Sequence, residues 1–264
     1  MFKHKIIIII SYRLFKKHVQ RWKMSEMSLG TGKDLETHIK LLHKYLKTRE
    51  RYDGTFLPSP FFVEFAGTPS AGKTTIIKEL YKFLKRNGFK VAIPQEGAEV
   101  VPHTHRGTPK YNIRTGMYAL EILLRLQQGH EYDFVLFDRC IFDAYVWMTY
   151  WHEKERLSAE EMRLLQGYFL FRGWSNDILR AYYVVCDPHV AIEREFGVAV
   201  SHKLGETTNP NVIERLIKLH RKAHADLKDQ FPQLQYFDTT NLGRQQMIED
   251  VTLDLFNSLV KKID

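Results

Sequence analysis

Residues 67–75, Gly67-Thr68-Pro69-Ser70-Ala71-Gly72-Lys73-Thr74-Thr75, carry the plainest chemistry in the chain. Their spacing, G-x-x-x-x-G-K-[ST], is that of an anion cradle. The glycines permit a backbone that turns successive N–H groups inward on phosphate oxygens. Lys73 adds a cation for the β- and γ-phosphates, and Thr74 a hydroxyl for Mg²⁺. An apolar run precedes the loop (Phe61 to Ala66) and an amphipathic stretch follows it (Thr74 to Arg86). Strand before and helix after is the context such a loop needs, and the helix aims its positive N-terminus at the same anion.

Two further places hold reactive side chains. The run Phe134 to Phe137 ends in Asp138-Arg139-Cys140. An Asp at a strand tip is placed to hold Mg²⁺, directly or through water. Arg139 can reach a substrate phosphate or order a neighbouring carboxylate; the plainer alternative for the pair is a surface ion pair. Glu96 stands in Ile93-Pro94-Gln95-Glu96-Gly97. A phosphate acceptor is already anionic and needs clamps only, whereas a hydroxyl acceptor must lose a proton during attack and needs a carboxylate beside it. Glu96 suits the second case, with Glu99 as an alternative carboxylate and an exposed loop acid as the plainer reading. Arg106 and Arg114, in a stretch read as a long loop from Glu99 onward, are candidates to bind acceptor phosphate or sugar, with Asp143 beside them. Tyr111, Tyr118, Phe142 and Trp147 are equally candidates for stacking on a base or for the core. His103 and His105 lack further converging ligands, so a metal there is disfavoured against a polar loop.

The elements that must position these groups alternate. Strands are expected over Phe61–Ala66, Phe89–Pro94, Tyr132–Phe137, Ala181–Cys186 and Leu234–Phe237. Helices are expected over Thr74–Arg86, Ile113–Gln128, Ile141–Glu155, Ser158–Phe171 and Val212–Lys228, with a short one through Glu195 and a C-terminal one facing inward at Met247, Ile248, Val251, Leu255 and Leu259. Strands each followed by helix predict an α/β fold, a five-stranded parallel sheet with helices on both faces. Ligands of such sheets lie beyond the carboxyl ends of the strands. Thr239-Thr240-Asn241, after the last strand, lie at that end of the sheet.

At 264 residues, 44% hydrophobic and 27% charged, the chain can bury a large core, which excludes a disordered segment. Its two cysteines exclude a disulfide framework and suit a reducing compartment, with the cytoplasm expected. The formal charge is +8, yet residues 1–24 hold seven basic residues and no acid. The remainder carries 32 basic and 31 acidic side chains, so polyanion binding is not a property of the body. Residues 1–32 divide off as a basic extension and linker, residues 33–54 as an amphipathic helix (Leu35, Ile39, Leu42, Leu46), and residues 55–264 as the main domain. Four readings of residues 1–24 stay open: a membrane-surface helix, an organellar transit peptide, a secretory signal, or an extension ahead of a start at Met24 or Met27. The longest apolar run, Ile6 to Ile10, is too short to span a bilayer.

Taken together, Gly67–Thr75, Glu96, Asp138-Arg139, and Asp187-Pro188 with Arg194 resemble the thymidylate kinase and deoxynucleoside kinase group across residues 60–256. The resemblance implies a P-loop, nucleotide kinase-like fold with a mobile lid near residues 194–210. It also implies ATP and Mg²⁺ as cofactors, and transfer of the γ-phosphoryl to a nucleoside or nucleoside monophosphate. It places the general base at Glu96, the metal at Thr74 and Asp138, a lid cation at Arg194, and a homodimer among the open partner readings. Three departures matter. Deoxynucleoside kinases show Glu-Arg-Ser where this chain has Asp138-Arg139-Cys140. The Arg-Glu-Pro of thymidylate kinases is missing after the second strand. The expected lid, Phe196 to Pro210, offers only His202 and Lys203 as basic residues. Kinases of a nucleic-acid 5′ end or a sugar, and a regulatory nucleotide switch, therefore stay open as alternatives.

Overall fold

The computed structural model describes residues 32–49, 60–102, 106–129, 131–197 and 209–263. The chain divides into two compact units: residues 1–57 with 253–264, and residues 58–252. The first contains helix α1 (Gly32–Arg49), on which Leu42 and Tyr45 are buried. The basic extension and the 25–32 linker lie outside the described residues. Among those described, no helix is long and apolar enough to cross a membrane.

The second unit is the alternating α/β body. Its elements run β1 (Phe61–Gly67), α2 (Lys73–Arg86), β2 (Val91–Ala92), α3 (Gly97–Val100), α4 (Pro109–Gln127), β3 (Phe134–Asp138), α5 (Ile141–Glu153), α6 (Ala159–Phe169), α7 (Arg172–Ser175), β4 (Ile178–Val185), α8 (Pro188–Phe196), α9 (Pro210–Leu227) and β5 (Leu234–Asp238). Helix α10 (Arg244–Ile263) begins in this unit and ends in the other. The five strands are all parallel in the order β2-β3-β1-β4-β5.

β1 is central and buried along its whole length, so both of its faces are covered. Because side chains alternate across a strand, Phe62 and Ala66 join a core built from α4, α5, α6 and α9, including Phe142, Phe169, Tyr183 and Phe231. Val63 and Phe65 are buried on the opposite face, and α2 buries Ile76, Ile77, Leu80 and Leu84. The register brings Gly67 level with Val184, Phe65 with Asp138, and Val185 with Asp238. All the loops expected to carry chemistry therefore leave the same edge of the sheet.

Boundaries differ from the sequence expectation for identifiable reasons. β2 shrinks to two residues: it pairs only with β3, and Pro94 has no N–H to extend the ladder. α6 starts as expected, on a capping box in which Ser158 accepts from Glu161 N and the Glu161 carboxylate accepts from Ser158 N. It stops at Phe169 rather than Phe171, because Trp174 Nε1 and Ser175 Oγ donate to the Phe169 and Leu170 carbonyls and cap that end. α4 begins at Pro109, four residues before the expected start, with proline in the first turn where its missing N–H costs nothing. The stretch expected as a loop is thus partly helix, and Arg114 sits on α4.

Candidate active site

The phosphate loop joins β1 to α2. Gly67 has φ 134° and Gly72 φ 101°, both in the left-handed region that glycine alone adopts cheaply, and Ser70 at φ 54° completes the tight course of the turn. A methyl group at Gly67 would lie 1.9 Å from the Val184 carbonyl oxygen, so β1 and β4 can close only over glycine there. Lys73 Nζ is folded back on the loop, donating to the carbonyls of Thr68 (2.7 Å) and Gly67 (3.4 Å). Burial lowers its pKa to about 8; the Arg139 charge adds to this, while Asp138, Asp143 and Glu96 oppose it. Those influences place the groups from the ends of β2 and β3 within electrostatic reach of the lysine.

Thr74 Oγ1 donates to Asp138 Oδ2 at 3.0 Å, so the two oxygen-bearing side chains expected around a metal are in contact. Arg139 follows, at φ 68°, an unusual conformation for a residue with a Cβ. Its guanidinium lies between two carboxylates: Nε donates to Glu96 Oε1 at 3.0 Å and Nη1 to Asp143 Oδ1 at 2.8 Å. Asp143 spends its other oxygen on Trp147 Nε1, at 2.9 Å. This carboxylate orients Arg139 and Trp147 instead of facing outward. Burial raises the Glu96 pKa above the ordinary range against the pull of Arg139, and the carboxylates of Asp143, Glu96 and Asp138 hold Arg139 firmly charged despite its partial burial.

Arg194, expected in a lid, has another placement. In the last turn of α8 its guanidinium donates to Thr239 Oγ1 (3.0 Å), Thr239 O (2.9 Å), Leu242 O (3.3 Å) and Ala71 O (3.5 Å). Thr239 Oγ1 itself bonds Ala71 O at 2.8 Å. Arg194 and Thr239 thus brace the back of the phosphate loop. The neighbouring Glu195 accepts from Ser70 Oγ at 2.6 Å. Residues 198–208, with Lys203, and residues 103–105, with both loop histidines, lie outside the described residues.

Arg106 lies over the Tyr111 ring at 5.7 Å and Arg114 is exposed on α4. Glu96 and Asp143 take Arg139 as their cation instead. Phe142 belongs to the core, edge-on to Phe231, which leaves partly buried Trp147 and Tyr118 as the stacking candidates closest to the surface. Sequence reasoning missed Glu64. It is fully buried on β1, and its carboxylate accepts from the backbone N–H groups of Cys140, Phe142 and Asp143. The only signal was a single acid in an apolar strand.

A parallel sheet carrying this loop after its central strand defines a P-loop nucleotide-binding α/β protein. A family profile described as an AAA domain matches residues 62–221, more than half of the chain, and the protein belongs to that family. No curated protein matches the sequence. Among solved structures, the chain is similar to a deoxyadenosine kinase from M. mycoides, determined with dCMP and a flexible dCDP bound. The TM-score is 0.51 at 19% identity, over 75% of this chain and 100% of that one. The two share a P-loop α/β fold.

Proposed function

We propose that the protein transfers the γ-phosphoryl group of ATP to a small-molecule acceptor, with nucleosides, taken at a hydroxyl, the leading class and nucleoside monophosphates the next. The observation that carries this reading is the Glu96–Arg139–Asp143 cluster, a partly desolvated carboxylate held by a fixed guanidinium within electrostatic reach of Lys73. The similarity to a deoxyadenosine kinase supports it.

The residues have separable tasks. The backbone from Gly67 to Thr75 cradles the polyphosphate, and Lys73 leaves its two carbonyl partners to meet it. Thr74 and Asp138 fit a hard divalent cation: both offer oxygen, they already touch, and phosphate oxygens and water can complete the shell. Mg²⁺ held there would neutralise charge on the triphosphate. Glu96 takes the proton of the attacking hydroxyl, and its raised pKa makes it the stronger base. Arg139 orients Glu96 and offers positive charge to the transferring phosphoryl group.

The test is incubation with labelled ATP·Mg²⁺ and a panel of nucleosides and monophosphates. Label on an acceptor is the expected result. Label released only as inorganic phosphate overturns it in favour of a second reading, a regulatory ATPase. One observation favours that alternative: Arg194, the one basic residue of the expected lid among the described residues, is engaged by carbonyls behind the phosphate loop.

A further inference from the structure

We propose that Glu64 is the positioning residue of the acceptor side, fixing Arg139 and Asp143 relative to the phosphate loop; the inference rests on the function proposed above and deepens it. Burying a carboxylate at the middle of a central strand is costly unless its oxygens are fully hydrogen-bonded. Here they are. Oε1 accepts from Cys140 N (2.8 Å) and Asp143 N (2.9 Å), and Oε2 from Phe142 N (3.1 Å).

The identity of those donors is informative. They are N–H groups of the N-cap and first turn of α5, which have no partner within the helix. The helix has no side-chain cap of its own, because the N-cap residue, Cys140, makes no such bond. The capping carboxylate instead comes from a strand 76 to 79 residues earlier in the chain. The three donors also bracket the active side chains. Cys140 directly follows Arg139, whose left-handed backbone is further held by Arg139 N donating to Phe65 O at 3.0 Å. Asp143 carries the carboxylate that grips both Arg139 and Trp147. Glu64 lies three residues before Gly67 on β1, so one side chain ties the start of the phosphate loop to the start of α5. A strained backbone persists where its surroundings over-determine it, and Glu64 and Phe65 supply that determination.

Glu64→Gln keeps the size and removes two of the acceptor lone-pair sites by turning one oxygen into a donor. The measurements are made on the full chain: the indole N–H resonance of Trp147, assigned by its loss in Trp147→Phe; the ATP dissociation constant; and kcat and KM for the acceptor that is turned over. The expected result is a folded variant with ATP affinity within about 2-fold of the parent and a shifted Trp147 signal beside unmoved Trp151 and Trp174 signals. kcat should fall by roughly 10–100-fold, the usual size for a supporting residue outside the first contact layer. An unmoved Trp147 signal with unchanged kcat overturns the proposal. If Glu64→Gln does not fold, Glu64→Met is read in the same way, and a chain that folds with neither makes the carboxylate purely structural, which also overturns it. If the parent labels no acceptor, the kinase reading fails by itself, while the Trp147 resonance still decides whether Glu64 sets this geometry.

Discussion

The two halves of the candidate site are built on different principles. The phosphate half is nearly all backbone: nine consecutive residues, two left-handed glycines and a helix start make the cradle, and the side chains around it mainly brace it. The acceptor half is nearly all side chain. Glu96, Arg139 and Asp143 come from the ends of β2 and β3 and the first turn of α5, and each is held by another charged group. A backbone site tolerates change in most of its side chains, whereas a side-chain network fails at any member. On the function proposed above, the first is generic for polyphosphate and selectivity resides in the second.

The largest expected effect removes the one side chain the phosphate half depends on. Lys73→Ala should lower ATP turnover by about 10³-fold or more, as loss of a charged clamp does in phosphoryl transfer, with melting unchanged or raised because a desolvated amine is gone. Glu96→Gln should lower kcat by about 10²–10⁴-fold if proton abstraction is its task, with ATP affinity intact by calorimetry. Full turnover in that variant would remove the hydroxyl acceptor and leave the phosphate half standing.

A smaller effect sharpens the contrast through pH. Beneath the acceptor half, burial raises Glu64 from an ordinary 4.5 to about 7, against its three N–H bonds. Burial also lowers His220 from 6.5 to about 4. Native Glu64 keeps a proton that the unfolded chain loses, so its contribution to stability declines as pH rises from about 4.5 to 7. Native His220 refuses a proton that the unfolded chain accepts, so its contribution declines as pH falls from 6.5 to about 4. The two slopes oppose each other across mildly acidic pH. Glu64→Gln should tilt the unfolding free energy downward on acidification, relative to the parent, by about 1.4 kcal/mol per pH unit, and His220→Phe should tilt it upward by a similar amount. Chemical denaturation at pH 5 and pH 6.5 reads both. The smallest effect belongs to the phosphate half: Ser70→Ala removes the bond to Glu195 and should cost about 1 kcal/mol or less, measured by the same denaturation.

The same division explains what could be read from residues alone. Contiguity made the phosphate loop and its flanking strand and helix plain, and the β3 tip at Asp138 followed from a short apolar run ending in charge. Arg194 was harder, since nothing local distinguishes an arginine that projects over a nucleotide from one that folds back onto three carbonyls; that depends on the loop after β5 lying beside it. Glu64 showed only as a lone acid in an apolar strand, and its role was hidden for a related reason. Its partners are the N–H groups of a helix distant in sequence, and backbone donors leave no mark in residue type. The α4 start was misplaced because the apolar period begins at Ile113, whereas the helix is set earlier by Pro109.

The close approach at Gly67 bears on how damaging alleles would be interpreted. The residue opens the anion motif, so a substitution there would ordinarily be blamed on lost nucleotide affinity. Its missing Cβ, however, faces the Val184 carbonyl. Even alanine would wedge β4 away from the central β1, and the defect would surface as low cellular abundance and protease sensitivity before any ligand was met.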